Sequence, residues 1–134
     1  MIVLDASAVV ELLLNTELGG LVAAKVSELG GTLHAPHLLD VEVLSAIRRL
    51  CVSGDLKTRD GAMALTDLRE LPATRYPHED LLERAWALRT SVTAQDAMYV
   101  ALAEGLDATL VTCDGPLARA HGHGAEVALV VLES

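Results

Sequence analysis

The chain opens with MIVLDASA (residues 1–8), an apolar run that ends in a carboxylate. A second run of the same kind, TLVTCD, occupies residues 109–114. Short apolar runs without polar alternation are typical of strands that are buried on both faces of a parallel sheet. In such sheets ligands bind beyond the carboxyl ends of the strands, where the strand order reverses. Because Asp5 and Asp114 both follow strand ends, this architecture can bring the two carboxylates together.

The rest of the chain alternates short β-rich runs with helical stretches, which indicates an α/β fold with a mainly parallel sheet covered by helices. The predicted strands are Ile2–Leu4, Thr32–Ala35, Ala73–Arg75, Thr109–Thr112 and Val127–Val130. The predicted helices are Ala8–Leu14, Gly20–Leu29, Leu38–Val52, Arg59–Glu70, His78–Arg89, Ala94–Glu104 and Gly115–His121. We find no repeat or linker, so residues 1–134 are expected to form a single domain.

Composition narrows the class of protein. Hydrophobic residues make up 51% of the chain, yet no apolar run approaches the roughly 18 residues of a membrane span. No signal peptide is recognisable at the N-terminus. Cys51 and Cys113 stand in no metal-binding or redox spacing, so we expect free thiols and a cytoplasmic location.

The formal charge of −9 disfavours simple electrostatic attraction to nucleic acid. A nucleic-acid enzyme with this charge needs metal ions and a local basic strip to offset its acids. Five arginines could follow an RNA backbone, although each alone suits a solvated surface position: Arg48, Arg49, Arg84, Arg89 and Arg119. Aromatic platforms for stacking bases are scarce, since the chain has only Tyr76, Trp86 and Tyr99.

Four acids occupy positions that suit a structural role poorly: Asp5, Glu42, Asp96 and Asp114. Glu42 interrupts an apolar helical stretch, and Asp96 opens a helix that is apolar nearly all round. A buried carboxylate is costly unless a positive group is nearby, and no Lys or Arg is local to Asp5, Asp96 or Asp114. Together these acids would need a cation, and hard oxygen ligands favour Mg²⁺ or Mn²⁺.

Each acid also has a purely structural interpretation. Asp5 is suited to cap the following helix, and Asp114 is suited to a turn before Pro116. Thr93 and Asp96 fit a capping box, in which Asp96 stands at the third helical position. Glu42 fits a surface ion pair with an Arg one or two turns further along its helix.

The chain resembles the PIN domain, specifically the VapC-type toxin ribonuclease of bacterial toxin–antitoxin pairs. The resemblance rests on IVLDASA (residues 2–8), a mid-chain helix carrying Glu42, TAQDAMYVALAE (residues 93–104) and LVTCD (residues 110–114), followed by Leu117 and Ala118. It implies a PIN-like three-layer sandwich with roughly five strands. In this family the positions of Asp5, Glu42, Asp96 and Asp114 form an acidic Mg²⁺ site.

We therefore expect a Mg²⁺-dependent endoribonuclease, with Mn²⁺ as a substitute metal. Asp5, Asp96 and Asp114 would hold the metal, and Glu42 would bind a second metal or orient the attacking water. Ser7 and Thr112 would orient these ligands. The expected partners are an RNA substrate, a cognate antitoxin and a second copy of the chain, with no membrane.

Two alternatives remain at this point. A catalytically idle PIN scaffold would act only through protein contacts, and the intact set of four acids argues against it. A phospho-receiver-like signalling domain also gathers acids around Mg²⁺, but it needs an acid pair after the first strand, an Asp after the third and a late Lys. This chain has a single acid after Leu4, no Asp at the end of the Ala73–Arg75 strand, and no Lys beyond Lys57.

Overall fold

The computed structural model describes residues 1–133 and contains one five-stranded parallel sheet. The strands are β1 (Ile2–Leu4), β2 (Leu33–Pro36), β3 (Ala73–Tyr76), β4 (Thr109–Thr112) and β5 (Glu126–Leu129). The helices are α1 (Ala6–Leu13), α2 (Glu17–Leu29), α3 (Leu38–Val52), α4 (Thr58–Glu70), α5 (Leu82–Ala87), α6 (Ala94–Leu106) and α7 (Gly115–Ala118), with a 3₁₀ turn over Glu79–Leu81. The predicted α/β class with five strands and covering helices is confirmed.

The sheet has the strand order β3-β2-β1-β4-β5. From the central strand β1 the chain extends one way through β2 and β3, and then the other way through β4 and β5. The strand order therefore reverses between β1 and β4, where Leu4 pairs with Val111. Phospho-receiver domains share the order 2-1-3-4-5 with flavodoxin, so the topology argues against that alternative.

Both faces of the sheet are covered. All three residues of β1 are buried, although neighbouring side chains of a strand point to opposite faces. Helix α6 contacts β1, β2 and β4, and it buries most of its surface from Ala97 to Ala103. This arrangement is the predicted three-layer sandwich.

Close packing fixes the helix that follows Asp5. A Cβ atom on Gly19 would lie 2.1 Å from the carbonyl oxygen of Glu11, so only glycine permits this approach of α2 to α1. The hydroxyl of Thr16 caps α2 by accepting from the amide of Gly19 at 3.0 Å. The position of α1, and with it that of Asp5, therefore depends on a small residue in the next helix.

Several predicted helix boundaries were wrong. The predicted helix His78–Arg89 is a 3₁₀ turn followed by the shorter α5, because the amide of Leu88 turns back to the carbonyls of Arg84 and Ala85. Helix α6 does not end at Glu104 as predicted but continues to Leu106.

Asp107 then ends α6 in a left-handed conformation with φ 52°, which Asp tolerates better than most residues. Helix α7 ends at Ala118, not at His121 as predicted. Helix α1 begins at Ala6, two residues earlier than predicted, because the Asp5 side chain already caps it. The predicted bounds of β1, β4 and α3 are confirmed, and the remaining element ends differ from the prediction by at most three residues, which is common where ends fray.

No single helix within residues 1–133 combines the length and apolar character needed to cross a membrane. Helices α1 and α2 meet such a test by length and composition only when taken together, and they are bent by 113° at their junction. Val9 and Val22, one from each helix, are fully buried in the core.

Candidate functional site

Asp5 lies at the end of β1 and is only 4% exposed. Its Oδ1 atom accepts hydrogen bonds from the Ser7 hydroxyl at 2.7 Å and from the backbone amide of Ala8 at 3.0 Å. Its Oδ2 atom accepts from the hydroxyl of Thr112. Asp5 therefore caps α1, as its structural interpretation proposed, and it is also tied to the neighbouring strand β4.

Ser7 and Thr112 join the two strand ends, β1 and β4. The hydroxyl oxygen of Ser7 accepts from the backbone amide of Cys113 at 3.0 Å, and that of Thr112 accepts from the amide of Asp114 at 2.9 Å. Each hydroxyl thus donates to Asp5 while it accepts from the chain that leads to Asp114. The two residues hold both strand ends and the Asp5 carboxylate in a fixed relation.

Asp114 precedes α7 at the position of a helix cap, but its side chain makes no capping hydrogen bond. The carboxylate is half-buried. The hydroxyl of Thr112 holds the backbone amide of Asp114, so the position of Asp114 does not depend on a capping hydrogen bond from its own side chain. A carboxylate in this condition is free to bind a cation.

Asp96 lies in the first turn of α6. The Thr93 hydroxyl caps this helix by accepting from the backbone amide of Asp96 at 3.2 Å, which confirms the predicted cap. Burial raises the pKa of Asp96, and repulsion from the carboxylates of Asp114 and Asp5 adds to the increase. Asp5 and Asp114 therefore lie close enough to Asp96 for their charges to affect its pKa.

Asp5 shows the same pattern. Burial raises its pKa, the hydrogen bonds from Thr112, Ser7 and Ala8 oppose that increase, and the charge of Asp114 adds to it. Burial and the charge of Asp114 thus destabilise the ionised form of Asp5 relative to its protonated form. A nearby cation would stabilise the ionised form.

Glu42 joins this group through Tyr99. The buried hydroxyl of Tyr99 donates to Oε1 of Glu42 at 2.6 Å. Burial raises the pKa of Tyr99, and the hydrogen bond to Glu42 and the charges of Asp5 and Asp96 raise it further. Glu42 is thus bonded to Tyr99 and takes part in no ion pair within residues 1–133, contrary to its surface-pair interpretation.

Positive charge is close to this group but does not neutralise it. A Cβ atom on Gly115 would lie 2.8 Å from Nη1 of Arg119, so that guanidinium folds back against the residue next to Asp114. The expectation that no Arg is local to Asp114 is therefore wrong. In the described part of the chain, however, none of the four ion pairs includes Asp5, Glu42, Asp96 or Asp114.

The donor set fits a hard divalent cation. It offers carboxylate oxygens from three mutually repelling aspartates, with raised pKa values for Asp5 and Asp96 and no paired base. The side chains are nevertheless not drawn together, since in residues 1–133 no three His, Cys, Asp or Glu side chains lie close enough to hold one ion. The arrangement is an electrostatically coupled group of acids, and binding a metal would require their side chains to converge.

A cavity of about 350 Å³ opens beside Asp96. Its lining combines hydroxyl, apolar and basic side chains: Arg89, Thr90, Ser91, Val92, Thr93, Asp96, Pro116 and Leu117. Cavities of roughly 300–1,000 Å³ are usual for small-molecule sites. Asp96 therefore borders a space with the volume of a small-molecule site.

Sequence reasoning missed Tyr99 as a member of the group. The signal was present, because Tyr99 follows Asp96 by three residues and a buried tyrosine hydroxyl needs a partner. Its partner, however, lies 57 residues away on α3, and no local pattern connects the two positions.

Comparison with known proteins gives consistent relatives. The family model of the PIN domain matches residues 2–122. The chain is 48% identical to Ribonuclease VapC12 of Mycobacterium tuberculosis over 130 residues, which cover 97% of this chain and 99% of that protein. It is 47% identical to Ribonuclease VapC9 of the same species over 115 residues, which cover 85% and 86% of the two chains.

Solved structures share the fold at low sequence identity. VapC20 of Mycobacterium tuberculosis, a toxin that cleaves the sarcin-ricin loop, aligns with a TM-score of 0.69 at 15% identity and covers 88% of this chain and 93% of its own. VapBC2 of Rickettsia felis, solved with a DNA fragment from its promoter, aligns with a TM-score of 0.70 at 14% identity and covers 98% of this chain and 100% of its own.

Proposed function

The chain belongs to the PIN-domain family, in the branch of the VapC ribonucleases, and from this premise we propose that it is a Mg²⁺-dependent endoribonuclease, the toxin of a toxin–antitoxin pair. The observation that carries the proposal is the coupling of Asp5, Asp96 and Asp114 where the strand order reverses. Buried carboxylates whose pKa is raised in part by a neighbouring carboxylate, and which have no paired base, are suited to a divalent cation.

In the proposed reaction Asp5, Asp96 and Asp114 hold Mg²⁺, or Mn²⁺ in its place. When bound, the metal supplies an activated water and stabilises the leaving oxygen of a phosphodiester. Glu42, positioned by the Tyr99 hydroxyl, orients the attacking water or contributes to a second metal position. Ser7 and Thr112 keep Asp5 in place through their hydrogen bonds.

The deciding experiment incubates purified protein with total RNA in Mg²⁺ and in EDTA, and maps the ends of the fragments. We expect cleavage in Mg²⁺ and none in EDTA. Asp5→Asn is the matched inactive control, because it keeps the shape of the side chain and removes the charge.

Cleavage that continues in EDTA, or in Asp5→Asn, would contradict the assigned site. No cleavage by a folded wild-type protein that still binds its partner would favour the catalytically idle scaffold. These outcomes separate the ribonuclease from the catalytically idle scaffold.

The acidic charge also supports a basic partner. An antitoxin that directs an Arg or Lys toward Asp96 and Asp114 would provide the counter-charge in place of the metal. Inhibition would then exclude Mg²⁺ as well as RNA. Co-expression with the neighbouring open reading frame, followed by Mg²⁺ titration of the purified complex, tests this: an unchanged metal affinity would contradict replacement by a cation.

The proposal also includes a cytoplasmic location and association of two copies of the chain. Helix α3 exposes Val41, Leu44 and Val52, with 63%, 50% and 74% of their surfaces accessible. Apolar side chains exposed along one helix favour a protein contact, and a symmetric dimer is the simplest one. Light scattering on the isolated chain tests it, and a monodisperse monomer would contradict the dimer.

A further inference from the structure

Trp86 is the only tryptophan of the chain, and 68% of its surface is exposed. The guanidinium carbon of Arg89 lies 4.6 Å from the centroid of the Trp86 ring, within the range of a cation–π contact. Nη1 of Arg89 also donates to the backbone carbonyl of Trp86 at 3.1 Å. The guanidinium is thus held in a defined position at an exposed surface.

Arg89 also borders the cavity beside Asp96. Arg89 lines the same cavity of about 350 Å³ as Asp96, with Pro116 and Leu117 among its other lining residues. One space therefore contains a fixed cation, an apolar wall and a proposed metal ligand. Arg89 takes part in no ion pair within residues 1–133, so its charge is not neutralised by an acid of this chain.

We propose that Trp86 and Arg89 form a binding subsite for one nucleotide of single-stranded RNA, next to the phosphate that is cleaved. The proposal rests on the proposed ribonuclease function. Arg89 contacts a phosphate or stacks its planar group on a base, and Trp86 holds the guanidinium in place. Proteins recognise single-stranded RNA by stacking bases on aromatic rings and guanidinium planes, because every base has a π face.

The overall charge makes such a subsite necessary. A protein with net charge −9 repels the RNA backbone at long range, so binding depends on local cations near the scissile bond. Arg119, which lies against Gly115, provides a second cation close to Asp114. Arg89 is the cation that shares the cavity with Asp96 and is ordered by a ring.

Exposed Trp and Arg residues are also frequent in protein interfaces. The shared cavity favours RNA over a protein partner, because a nucleotide that fills it would lie beside the carboxylates that act on its phosphate. The experiment below distinguishes the two.

Binding is measured in EDTA, where the proposed cleavage is off, with a pool of short single-stranded RNA of random sequence that carries fluorescein at its 5′ end. We expect the emission of Trp86 to change on binding. Anisotropy should show that Arg89→Ala and Trp86→Ala each weaken binding about ten-fold. Arg89→Ala should also reduce the slope of log affinity against log salt by about 0.7, the loss of one phosphate contact to a single strand.

Two further variants complete the design. Arg89→Lys should keep the salt slope and lose part of the affinity, because an ammonium group lacks the planar stacking surface. Arg59→Ala removes the same charge from α4, where the Arg59 side chain is 79% exposed and does not line the cavity. It should bind RNA as the wild type does.

Equal RNA affinities in wild type, Trp86→Ala and Arg89→Ala would overturn the subsite, and loss of co-purification with the neighbouring gene product in those variants would assign the pair to a protein contact. The proposed ribonuclease function would stand in that case if Mg²⁺-dependent cleavage is present. Conversely, Arg89-dependent binding without any cleavage in Mg²⁺ would support the subsite and contradict the ribonuclease.

Discussion

Asp96 lies in the first turn of α6 and Glu104 in its last turn. The pKa values of the two carboxyl groups are shifted in opposite directions. The pKa of Asp96 is raised, whereas the pKa of Glu104 is lowered. The helix dipole alone would favour the ionised form at the N-terminus and disfavour it at the C-terminus. The neighbours of each carboxylate therefore outweigh the dipole and reverse its order.

At Glu104 the neighbours are donors. Arg84 donates to both carboxylate oxygens, at 2.7 and 2.9 Å, and the amide of Gly124 donates at 2.6 Å. Asp40 is likewise paired, since it accepts from Nη2 of Arg75 at 3.0 Å. At Asp96 burial and two other carboxylates act instead. The chain thus forms an ion pair with acids that have a structural role and forms none, within residues 1–133, with the acids of the group, which is the condition that the proposed metal site requires.

The largest expected effect comes from removing the negative charge of Asp96, in comparison with removing that of Glu104 at the other end of α6. Asp96→Asn should lower RNA cleavage by more than about 100-fold, the upper end of what loss of a supporting residue costs a metal site. Its unfolding midpoint without metal should be unchanged or higher, because repulsion from Asp5 and Asp114 is relieved.

Glu104→Gln is the matched control for that variant. It should cleave RNA at the wild-type rate while its unfolding midpoint falls, because the pair with Arg84 is lost. Cleavage and thermal melting are measured on both variants. Equal losses of activity in the two variants would show that both carboxylates matter only for folding, and would contradict a separate role of Asp96 in the site.

The second expected effect concerns stabilisation by metal. Mg²⁺ that binds the folded protein at 100 times its dissociation constant should stabilise it by about 2.7 kcal/mol. The variant with Asp5→Asn, Glu42→Gln, Asp96→Asn and Asp114→Asn should show no such shift, whereas Glu104→Gln should respond as the wild type does. Thermal melts in Mg²⁺ and EDTA measure this, and an equal shift in the fourfold variant would place the metal elsewhere.

The third expected effect is a dependence on pH with opposite signs at the two ends. The pKa values of Asp5 and Asp96 are raised above the ordinary 3.8, so the folded, metal-free protein binds protons more tightly than the unfolded chain. Their contribution to the free energy of unfolding is present below pH 3.8 and is lost as the pH rises through the raised values.

The pKa of Glu104 is lowered from 4.5, so its contribution is present above pH 4.5 and is lost as the pH falls through the lowered value. Urea unfolding in EDTA across pH 3–8 measures both. The difference between wild type and Asp5→Asn/Asp96→Asn should fall as the pH rises, and that between wild type and Glu104→Gln should grow. If both differences in the free energy of unfolding change with pH in the same direction, the opposite pKa shifts at the two ends of α6 would be contradicted.

The sequence predicted the strands and the positions of the acids better than the contacts that the acids make. The apolar runs that end at Asp5 and near Asp114 identified strands buried on both faces, because only such strands lack polar alternation. Placement of acids after these strands followed from parallel topology. The ionic state at each end of α6 did not follow, because Arg84 and Glu104 lie 20 residues apart and meet only through tertiary packing.

The same limit applies to helix ends and to long-range partners. The early end of α5 depends on how residues 88–92 turn back onto it, and nothing in its apolar pattern marks that turn. Glu42 fitted an ion pair on its own helix equally well, and only the assembled fold brings it within hydrogen-bond distance of Tyr99 on α6. Local patterns therefore predict elements, whereas the partners of polar side chains require the assembled fold.

The smallest expected effect lies between the two ends of α6, at Tyr99. Tyr99→Phe removes the hydroxyl that donates to Glu42 and should lower the free energy of unfolding by about 1 kcal/mol. Cleavage should fall less than ten-fold, because Glu42 keeps its charge but loses its fixed orientation. Tyr76→Phe is the matched control, since its hydroxyl bonds Nδ1 of His34 at 2.7 Å, outside the acidic group. It should cost similar stability and leave cleavage unchanged, so equal activity in both variants would remove Tyr99 and Glu42 from the site.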